Sequence, residues 1–283
     1  MTPRRIRRVV ALTIGILVFL VLAGATYQGV ATALERRRFP HPGQLTDVGG
    51  HQLHLYCTGE GSPTVVLEAP AAGMSASWAW VQQAVATTTR VCSYDRAGLG
   101  WSEAGDGAFA ADAVPGQLRS LLTTAGERPP YIIAGQGLGA ALARLEAEQF
   151  GADVIGLVLI DPPGVQAVSG ARLVTWSPWL ARIGLLRISG MLSDRAAGLP
   201  QPLGEAFTAF LNRPDHLARA SIELSHWDEL AARSVLVPLP PGLPVVEVHI
   251  MGDQRVAFLS TAETSAPAIA AVRGAVEAAR RHD

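Results

Sequence analysis

The apolar positions divide the chain into one long apolar segment followed by short stretches with strand or helix periodicity. Residues 9–34 are almost continuously apolar, and four of the eight residues before them are arginine. The run exceeds the ~20 residues that a helix needs to cross a bilayer. Arginines are enriched on the cytoplasmic side of such helices. We therefore predict a cytoplasmic start over residues 1–8, a transmembrane helix over residues 9–34 and a linker over residues 35–44.

A cleaved signal peptide is the alternative reading of the same segment. The small residues Ala23, Gly24 and Ala25 match the pattern at which such peptides are cut. Three further arginines at 36–38 also weaken the charge difference across the span. We favour the anchor, because the apolar run is longer than the ~7–15 residues of a signal peptide's apolar region. The globular part is then expected outside the cytoplasm.

From residue 45 onward, strand and helix patterns alternate. The two glycines at 49–50 predict a hairpin, and the continuous apolar run at 63–69 predicts a strand that is buried on both faces. Further strands are predicted at 89–94, 131–134 and 154–160. Helical spacing fills the intervals between these runs, which indicates a mainly parallel sheet with helices on both faces. Residues 162–237 lack strand signals and predict a helical cap. Strands at 244–251 and 255–259 and a helix over 266–281 complete the predicted domain, residues 45–283.

The composition of the chain argues against several classes of function. The net charge is −1, and the 23 basic residues, all arginine, form no basic tract in the globular part, so we expect no nucleic-acid partner. The chain has only two cysteines, Cys57 and Cys92, each in a predicted strand and not in a C-x-x-C pair. That spacing argues against a metal site. The two cysteines are either a disulfide or two small buried apolar residues.

Several segments, in this order, resemble the α/β-hydrolase fold family, and in particular its exported, membrane-anchored members. They are residues 50–55, 63–69, 94–102, 134–140 and 156–161. The resemblance implies a G-x-S-x-G nucleophile elbow after the strand at 131–134. This chain has Gly135-Gln-Gly-Leu-Gly there, with Gly137 in the place of the serine. A glycine has no side chain to attack a carbonyl, so covalent catalysis by a serine at this elbow is excluded.

The same resemblance implies where the other catalytic groups should stand. Asp253 fits the position of the acid, and Ser260 stands nearest the position of the histidine, in a loop without histidine that leads to Pro267. The backbone amides of Ala71 and Leu138 are expected to form the oxyanion hole. Pro70, next to Ala71, restricts the backbone of the preceding residue, Ala69.

Two catalytic or binding alternatives arise from the residues themselves. Gly135-Gln-Gly-Leu-Gly-Ala also fits a G-x-G-x-x-A dinucleotide fingerprint with Asp161 as the ribose-binding acid. Such a fingerprint belongs to the first strand of its unit, and here other strands precede it. A relocated serine at Ser75 or Ser102 with His226 as its base is the second alternative, and no spacing supports it.

These observations favour a membrane-anchored protein of hydrolase fold whose catalytic triad has degenerated. We expect it to bind a hydrophobic ligand or a membrane-protein complex, with no cofactor. A serine-type hydrolase of esters, lipids or peptides with an unconventional nucleophile is the first alternative, and a dinucleotide-binding protein is the second.

Overall fold

A computed structural model describes residues 3–105, 109–163, 171–250 and 258–281. Seven strands lie within these ranges, and the first three follow one another without a helix between them. Their bounds are β1 Gln44–Asp47, β2 Gln52–Thr58, β3 Thr64–Glu68, β4 Val91–Tyr94, β5 Tyr131–Gln136, β6 Val154–Ile160 and β7 Val245–Val248.

The strands form one sheet in the order β1-β2-β4-β3-β5-β6-β7. The hairpin strands β1 and β2 pair antiparallel, β2 pairs antiparallel with β4, and every later pairing is parallel. The chain therefore has the mainly parallel sheet of the α/β-hydrolase fold. Parallel strands end at the same edge of a sheet, so the turns after β3, β5 and β6 lie side by side at that edge.

Ten α-helices lie within the described ranges. Their bounds are α1 Pro3–Arg38, α2 Ala79–Val85, α3 Ala113–Thr124, α4 Leu138–Phe150, α5 Ala171–Arg182, α6 Leu185–Ser189, α7 Leu203–Leu211, α8 Pro214–Ser225, α9 Trp227–Leu236 and α10 Ala262–Arg280.

Helices cover both faces of the sheet, which explains the continuous apolar runs of its strands. On β3, Val65 and Leu67 point into the core that contains Val272 of α10, whereas Val66 points into the opposite core with Leu118 of α3. All five of these side chains are buried. Successive side chains of a strand point to opposite faces, so a strand between two cores needs apolar residues at every position.

The two cysteines are neighbours across the antiparallel pair β2–β4. Cys57 is the register partner of Cys92, and a disulfide joins them. Of the alternatives that the sequence left open, the structure therefore has the bonded pair. The bond closes a loop with a sequence separation of 35 residues and ties the hairpin to the parallel part of the sheet.

The N-terminal helix α1 has 36 residues and is long and apolar enough to cross a membrane. Its most apolar stretch of 18 residues is not buried against the rest of the protein. The helix continues to Arg38, so the connection to the sheet is shorter than the linker expected over residues 35–44. Polar contacts tie the C-terminal part of the helix to the cap: Arg38 lies 2.5 Å from Glu205, and Gln28 donates to the carbonyl of Asn212 at 2.8 Å.

The predicted cap contains the helices α5 to α9 in its described part. The final helix α10 starts at Ala262, four residues before the predicted start. Thr261 accepts from the backbone of Thr264 at 3.1 Å, and Thr264 closes a capping box in return. Pro267 therefore lies inside the helix and does not open it. Of the strand predicted at 255–259, residues 255–257 lie outside the described ranges, and Phe258 and Leu259 are not in a strand.

Candidate functional site

The turn between β5 and α4 has the geometry of a nucleophile elbow, with Gly137 at its apex. Gly137 has φ 54° and ψ −119°, a backbone conformation that residues other than glycine rarely adopt. Its N–H donates to the carbonyl of Ile160 on β6 at 2.9 Å, and its own carbonyl accepts from Ala140 at 2.9 Å. The strand thus passes into the helix through one sharply bent residue, as the G-x-S-x-G motif requires.

The glycines on either side of Gly137 are required by close packing. A Cβ on Gly135 would lie 2.3 Å from the carbonyl oxygen of Gly139, and a Cβ on Gly139 would lie 2.4 Å from that of Glu68. Neither position has room for a side chain. At Gly137 the nearest atom to such a Cβ is 3.6 Å away, an ordinary contact. Packing around the Cβ position therefore does not impose glycine at the apex of the elbow.

A tryptophan from the cap covers this apex. The Cη2 atom of Trp227 is the closest described atom to a Cβ built on Gly137, at 3.6 Å, followed by the Cβ of Pro70 at 4.0 Å. Trp227 is the first residue of α9 and is almost completely buried. It belongs to an apolar cluster that joins the cap to α4, with Ala71, Leu138, Leu142, Leu145, Leu224, Leu230 and Ala231. The space above the elbow is thus part of a hydrophobic core.

The two residues expected to form the oxyanion hole come together in that same cluster. Ala71 and Leu138 are both fully buried and both share the cluster with Trp227. Ala72, directly after Ala71, has φ 59°, and its carbonyl accepts from Nε2 of His216 at 3.0 Å. The cap helix α8 therefore fixes the loop through a histidine whose other ring nitrogen accepts from Gly100.

Arg96 connects the same loop to the sheet and to the cap. Its guanidinium donates to the carbonyls of Ala69 and Pro70 at 2.6 and 3.1 Å. It also contacts Glu68 at 2.5 Å and Glu223 of α8 at 2.7 and 2.9 Å. Burial alone lowers the pKa of Arg96, but the carboxylates of Glu223 and Glu68 raise it well above its ordinary value. Arg96 is therefore a permanently charged brace with a structural role.

Two further titratable groups extend this buried network. Tyr94 donates its hydroxyl to Glu68 and lies 3.5 Å from a carboxyl oxygen of Glu146. Burial, together with the negative charge of Glu68, raises the pKa of Glu146 well above its usual range. This environment favours the protonated form of Glu146. No sequence pattern indicates these carboxyl groups, since they stand far apart in the chain and look like ordinary surface residues.

A serine, a histidine and an aspartate do meet at another place in the core. Ser75 Oγ lies 3.3 Å from Nδ1 of His54, and the same nitrogen lies 3.0 Å from Oδ2 of Asp95. A catalytic triad uses opposite ring nitrogens for the serine and the acid. Here the second nitrogen, Nε2, accepts from the backbone of Gly43. His54 also stands on β2, three strands and about 14 Å from β5.

The contacts of Asp95 indicate a structural role for this cluster of Ser75, His54 and Asp95. Its carboxylate accepts from the backbone of Ser75 at 2.6 Å and of Trp101 at 2.9 Å. Burial raises the pKa of Asp95, but His54 and the two backbone donors lower it more, so that the net shift is downward. The cluster therefore holds the turn after β4 in place.

The other residues of the relocated-serine alternative do not meet. Ser102 donates to the carbonyl of Asp95 at 2.6 Å and accepts from the backbone of His54, so it closes the turn. His226 lies between α8 and α9, where Nδ1 is 2.9 Å from the carbonyl of Ile222. Ser102 and His226 thus have different hydrogen-bond partners, and each of these contacts holds nearby backbone in place.

The acid and histidine positions are described only in part. Asp253 lies outside the described residues. Ser260 immediately precedes the N-cap of α10, and its carbonyl oxygen would lie 2.5 Å from a Cβ on Gly198, which places the loop against the cap. His249, expected inside a strand, follows the end of β7 and is exposed.

The dinucleotide fingerprint does not occupy the position that such a motif requires. It lies at the end of β5, in the middle of the sheet, and its outer glycines serve the packing described above. Asp161, the expected ribose-binding acid, accepts from the backbone of Ile250 at 2.7 Å. This bond ties the end of β6 to the residues after β7.

The fold and the elbow define a protein of α/β-hydrolase architecture, and comparison with known proteins gives the family. Residues 65–281 match the family described as "Alpha/beta hydrolase family". The match covers most of the chain, and the chain belongs to this family.

Solved structures with the same fold include the enol-lactonase from Burkholderia xenovorans LB400. It is 16% identical, has a TM-score of 0.63, and the match covers 83% of this chain and 100% of that one. A thermophilic esterase from Thermogutta terrifontis is 17% identical with a TM-score of 0.55, over 79% and 92% of the two chains. At these identities the likeness shows the fold alone.

Two curated relatives come from Bacillus subtilis (strain 168), and both are named as uncharacterized proteins. YqjL is 34% identical over 104 residues, which is 37% of this chain and 41% of YqjL. YbdG is 24% identical over 164 residues, which is 56% of this chain and 49% of YbdG. The matches thus span about half or less of these relatives' length.

Proposed function

We propose that this protein is a membrane-anchored α/β-hydrolase-fold protein without hydrolytic activity, which acts by binding as an accessory subunit. The observation that carries the proposal is the elbow itself. Gly137 keeps the backbone conformation of a nucleophile but has no hydroxyl, and Trp227 fills the place in front of it. The reacting group is thus missing, and an indole from the cap lies against the position that it would occupy.

The histidines support the same conclusion. Between His249 and His282 the sequence contains no histidine, although the base of an active relative belongs in this stretch. The buried His216 uses both ring nitrogens to hold backbone groups, and the two ring nitrogens of His54 contact the backbone of Gly43 and the carboxylate of Asp95. Neither is available to take a proton from a nucleophile at the elbow.

The anchor and its orientation are the second part of the proposal. We place the N-terminus in the cytoplasm, the apolar part of α1 in the membrane and the folded domain outside. The disulfide between Cys57 and Cys92 favours an oxidising compartment. The arginines after the span argue less strongly against this orientation than the sequence alone suggests, because Arg36 and Arg38 face Asp215 and Glu205.

The contacts of α1 also favour a retained anchor over a cleaved signal peptide. Cleavage after Ala25 would remove Gly24, which packs directly on the backbone of Ile183. The intact mass of protein extracted from membranes tests this point. A mass near the full 29.8 kDa supports the anchor, and loss of the first ~25 residues would contradict it.

An activity-based probe tests the absence of catalysis. Fluorophosphonate labels serine nucleophiles that a base activates. We expect no labelling of the full-length protein and no turnover of short- or long-chain esters, with an active esterase of the same fold as the positive control. Labelling that a single Ser75→Ala substitution abolishes would instead establish the hydrolase with an unconventional nucleophile.

Its partner or ligand is expected at the cap and not at the elbow. Because Trp227 and its neighbours form a closed core there, a hydrophobic ligand would have to displace buried side chains. A membrane-protein complex that docks on the cap needs no such change. Extraction in a mild detergent, followed by identification of the proteins that remain bound, tests this. Recovery of the chain without any stoichiometric protein would overturn the accessory-subunit part of the proposal.

A further inference from the structure

The cap carries an exposed apolar surface on α5, α6 and the turn after them. Five large apolar side chains there are between 48% and 68% exposed, and we name them the cap surface: Trp176, Trp179, Leu185, Ile188 and Met191. Clusters of large apolar residues are uncommon on a water-exposed surface, and they mark sites of contact with a membrane or another molecule. Trp176 and Trp179 are one helical turn apart, so their side chains lie on one side of α5.

The cap surface lies next to the point where α1 leaves the domain. A Cβ on Gly24 would be 2.2 Å from the carbonyl oxygen of Ile183, which means that the backbones of α1 and the cap touch there. A Cβ on Gly184 would be 3.0 Å from the carbonyl oxygen of Gly24 and 3.2 Å from the ring of Tyr27. Residues 183–184 join α5 to α6, so the cap surface flanks this contact on both sides.

Polar contacts fix the angle between α1 and the cap. The side chain of Gln28 is buried, donates to the carbonyl of Asn212 and accepts from Arg187 at 3.0 Å. Arg187 also forms a two-point contact with Glu35, about two turns further along α1 than Gln28. The helix is therefore docked on the cap over several turns. The position of the domain relative to α1 is set by these contacts.

The length of the span places residues 183–184 at the membrane boundary. A helix crosses the hydrocarbon core with ~20 residues, so within the predicted span of residues 9–34 a helix that enters the core at Val9 leaves it near Gln28. Gln28 is also the residue of α1 whose side chain makes buried hydrogen bonds to the cap. Gly24 lies one turn before it, within the expected span, and Gly24 is the residue that touches Ile183.

We infer that the cap surface is inserted in the outer interface of the same lipid bilayer that α1 crosses. The inference rests on the proposed anchor. The chemistry of the surface fits this occupant, because Trp is enriched at the level of lipid headgroups. The guanidinium of Arg182 stacks on Trp179 at 4.7 Å, so that its charge can reach the headgroups while its stem covers apolar surface.

Tryptophan fluorescence in vesicles tests the inference with the full chain. None of the six tryptophans lies in α1, so a quencher in the lipid reports on the domain alone. The protein is reconstituted in phosphatidylcholine vesicles brominated either high or deep in the acyl chain. We expect strong quenching by the shallow bromines and weak quenching by the deep ones. Trp176→Phe/Trp179→Phe should lose most of the quenching, whereas the control Trp80→Phe should keep it.

Flotation of the vesicles after an alkaline wash separates the two ways in which this test can fail. If the protein is washed off, the anchor itself is wrong and the inference falls with it. If the protein stays on the vesicles but the shallow bromines do not quench, the anchor stands and the inference is overturned. A dimer that cross-links through the cap surface in such unquenched vesicles would assign the surface to a second copy of the chain.

Discussion

The indole of Trp227 lies 3.6 Å from the position that a Cβ atom on Gly137 would occupy. Gly137 is the apex of the elbow from which the nucleophile of an active relative projects. Trp227 comes from the cap, 90 positions later in the chain. The residue without a hydroxyl and the indole in front of it therefore come from separate parts of the chain. Changing one of them leaves the other in place.

Restoring the serine alone is expected to restore no activity. Gly137→Ser should fold, because its Cβ makes an ordinary contact, at a cost of about 1–3 kcal/mol for the positive φ. Among the described residues no histidine atom lies within 4 Å of the new Cβ, so ester hydrolysis and fluorophosphonate labelling should both stay at background. Gly137→Ala is the matched control for strain. Robust hydrolysis by the serine variant would show that a histidine reaches the elbow.

Removing Trp227 is expected to destabilise the protein strongly. Trp227→Ala opens a cavity between the cap and α4, and such truncations of buried tryptophan cost about 3–5 kcal/mol. Trp176→Ala is the control, since Trp176 is 66% exposed, and its effect should stay within about 0.5 kcal/mol. Urea unfolding of both variants measures the difference. Equal losses would mean that Trp227 does not fill the space above the elbow.

Breaking the buried network at Arg96 is expected to cost more than breaking a partly exposed ion pair. Arg96→Met leaves the carboxylates of Glu68 and Glu223 buried without their partner, a loss of about 3–5 kcal/mol. Arg90→Met removes the partner of Glu127 at a site where the arginine is 34% exposed, and it should cost about 0–1 kcal/mol. Chemical denaturation compares the two. A small effect at Arg96 would contradict its role as a brace.

His216 is expected to make stability fall in acid. Burial lowers its pKa from 6.5, although the carbonyl of Ala72 and nearby carboxylates act in the opposite direction. The folded chain then binds this proton less readily than the unfolded chain does. The contribution of His216 is present above the unfolded pKa of 6.5 and is lost as the pH falls below it.

The corresponding measurement is the melting temperature between about pH 8 and pH 5. His216→Gln should melt lower than the wild type at the upper end, and the difference should shrink as the pH falls. The matched control is His249→Gln, because the His249 side chain is exposed. A difference that stays constant across the range would show that His216 does not titrate with folding.

The disulfide is expected to contribute substantially to stability. Chain entropy for a closed loop of this length corresponds to about 4 kcal/mol. Cys57→Ala/Cys92→Ala should lose roughly that amount in urea unfolding without reductant. Under reducing conditions the wild type should approach the variant. A wild type that is insensitive to reductant would mean that the bond does not form in the protein.

The sequence alone determined the fold class and the residue at the apex of the elbow. Alternation of apolar strands and helices follows from a sheet that is buried on both faces, so the pattern of residues 131–160 predicts β5, α4 and β6 closely. The absence of a hydroxyl at Gly137 is likewise a property of one residue. It needs no coordinates, because no folding can supply an atom that the chain does not have.

Only the tertiary structure decided how the elbow is surrounded. Trp227, Glu223 and Arg96 meet near the elbow from the cap and from the turn after β4, and nothing in their sequence spacing indicates this meeting. The same holds for α1, whose contact with Ile183 depends on the small size of Gly24 and on the fold of the cap. Periodicity reports which face of a helix or strand is apolar. The identity of the neighbour is set by packing between segments that are distant in the chain.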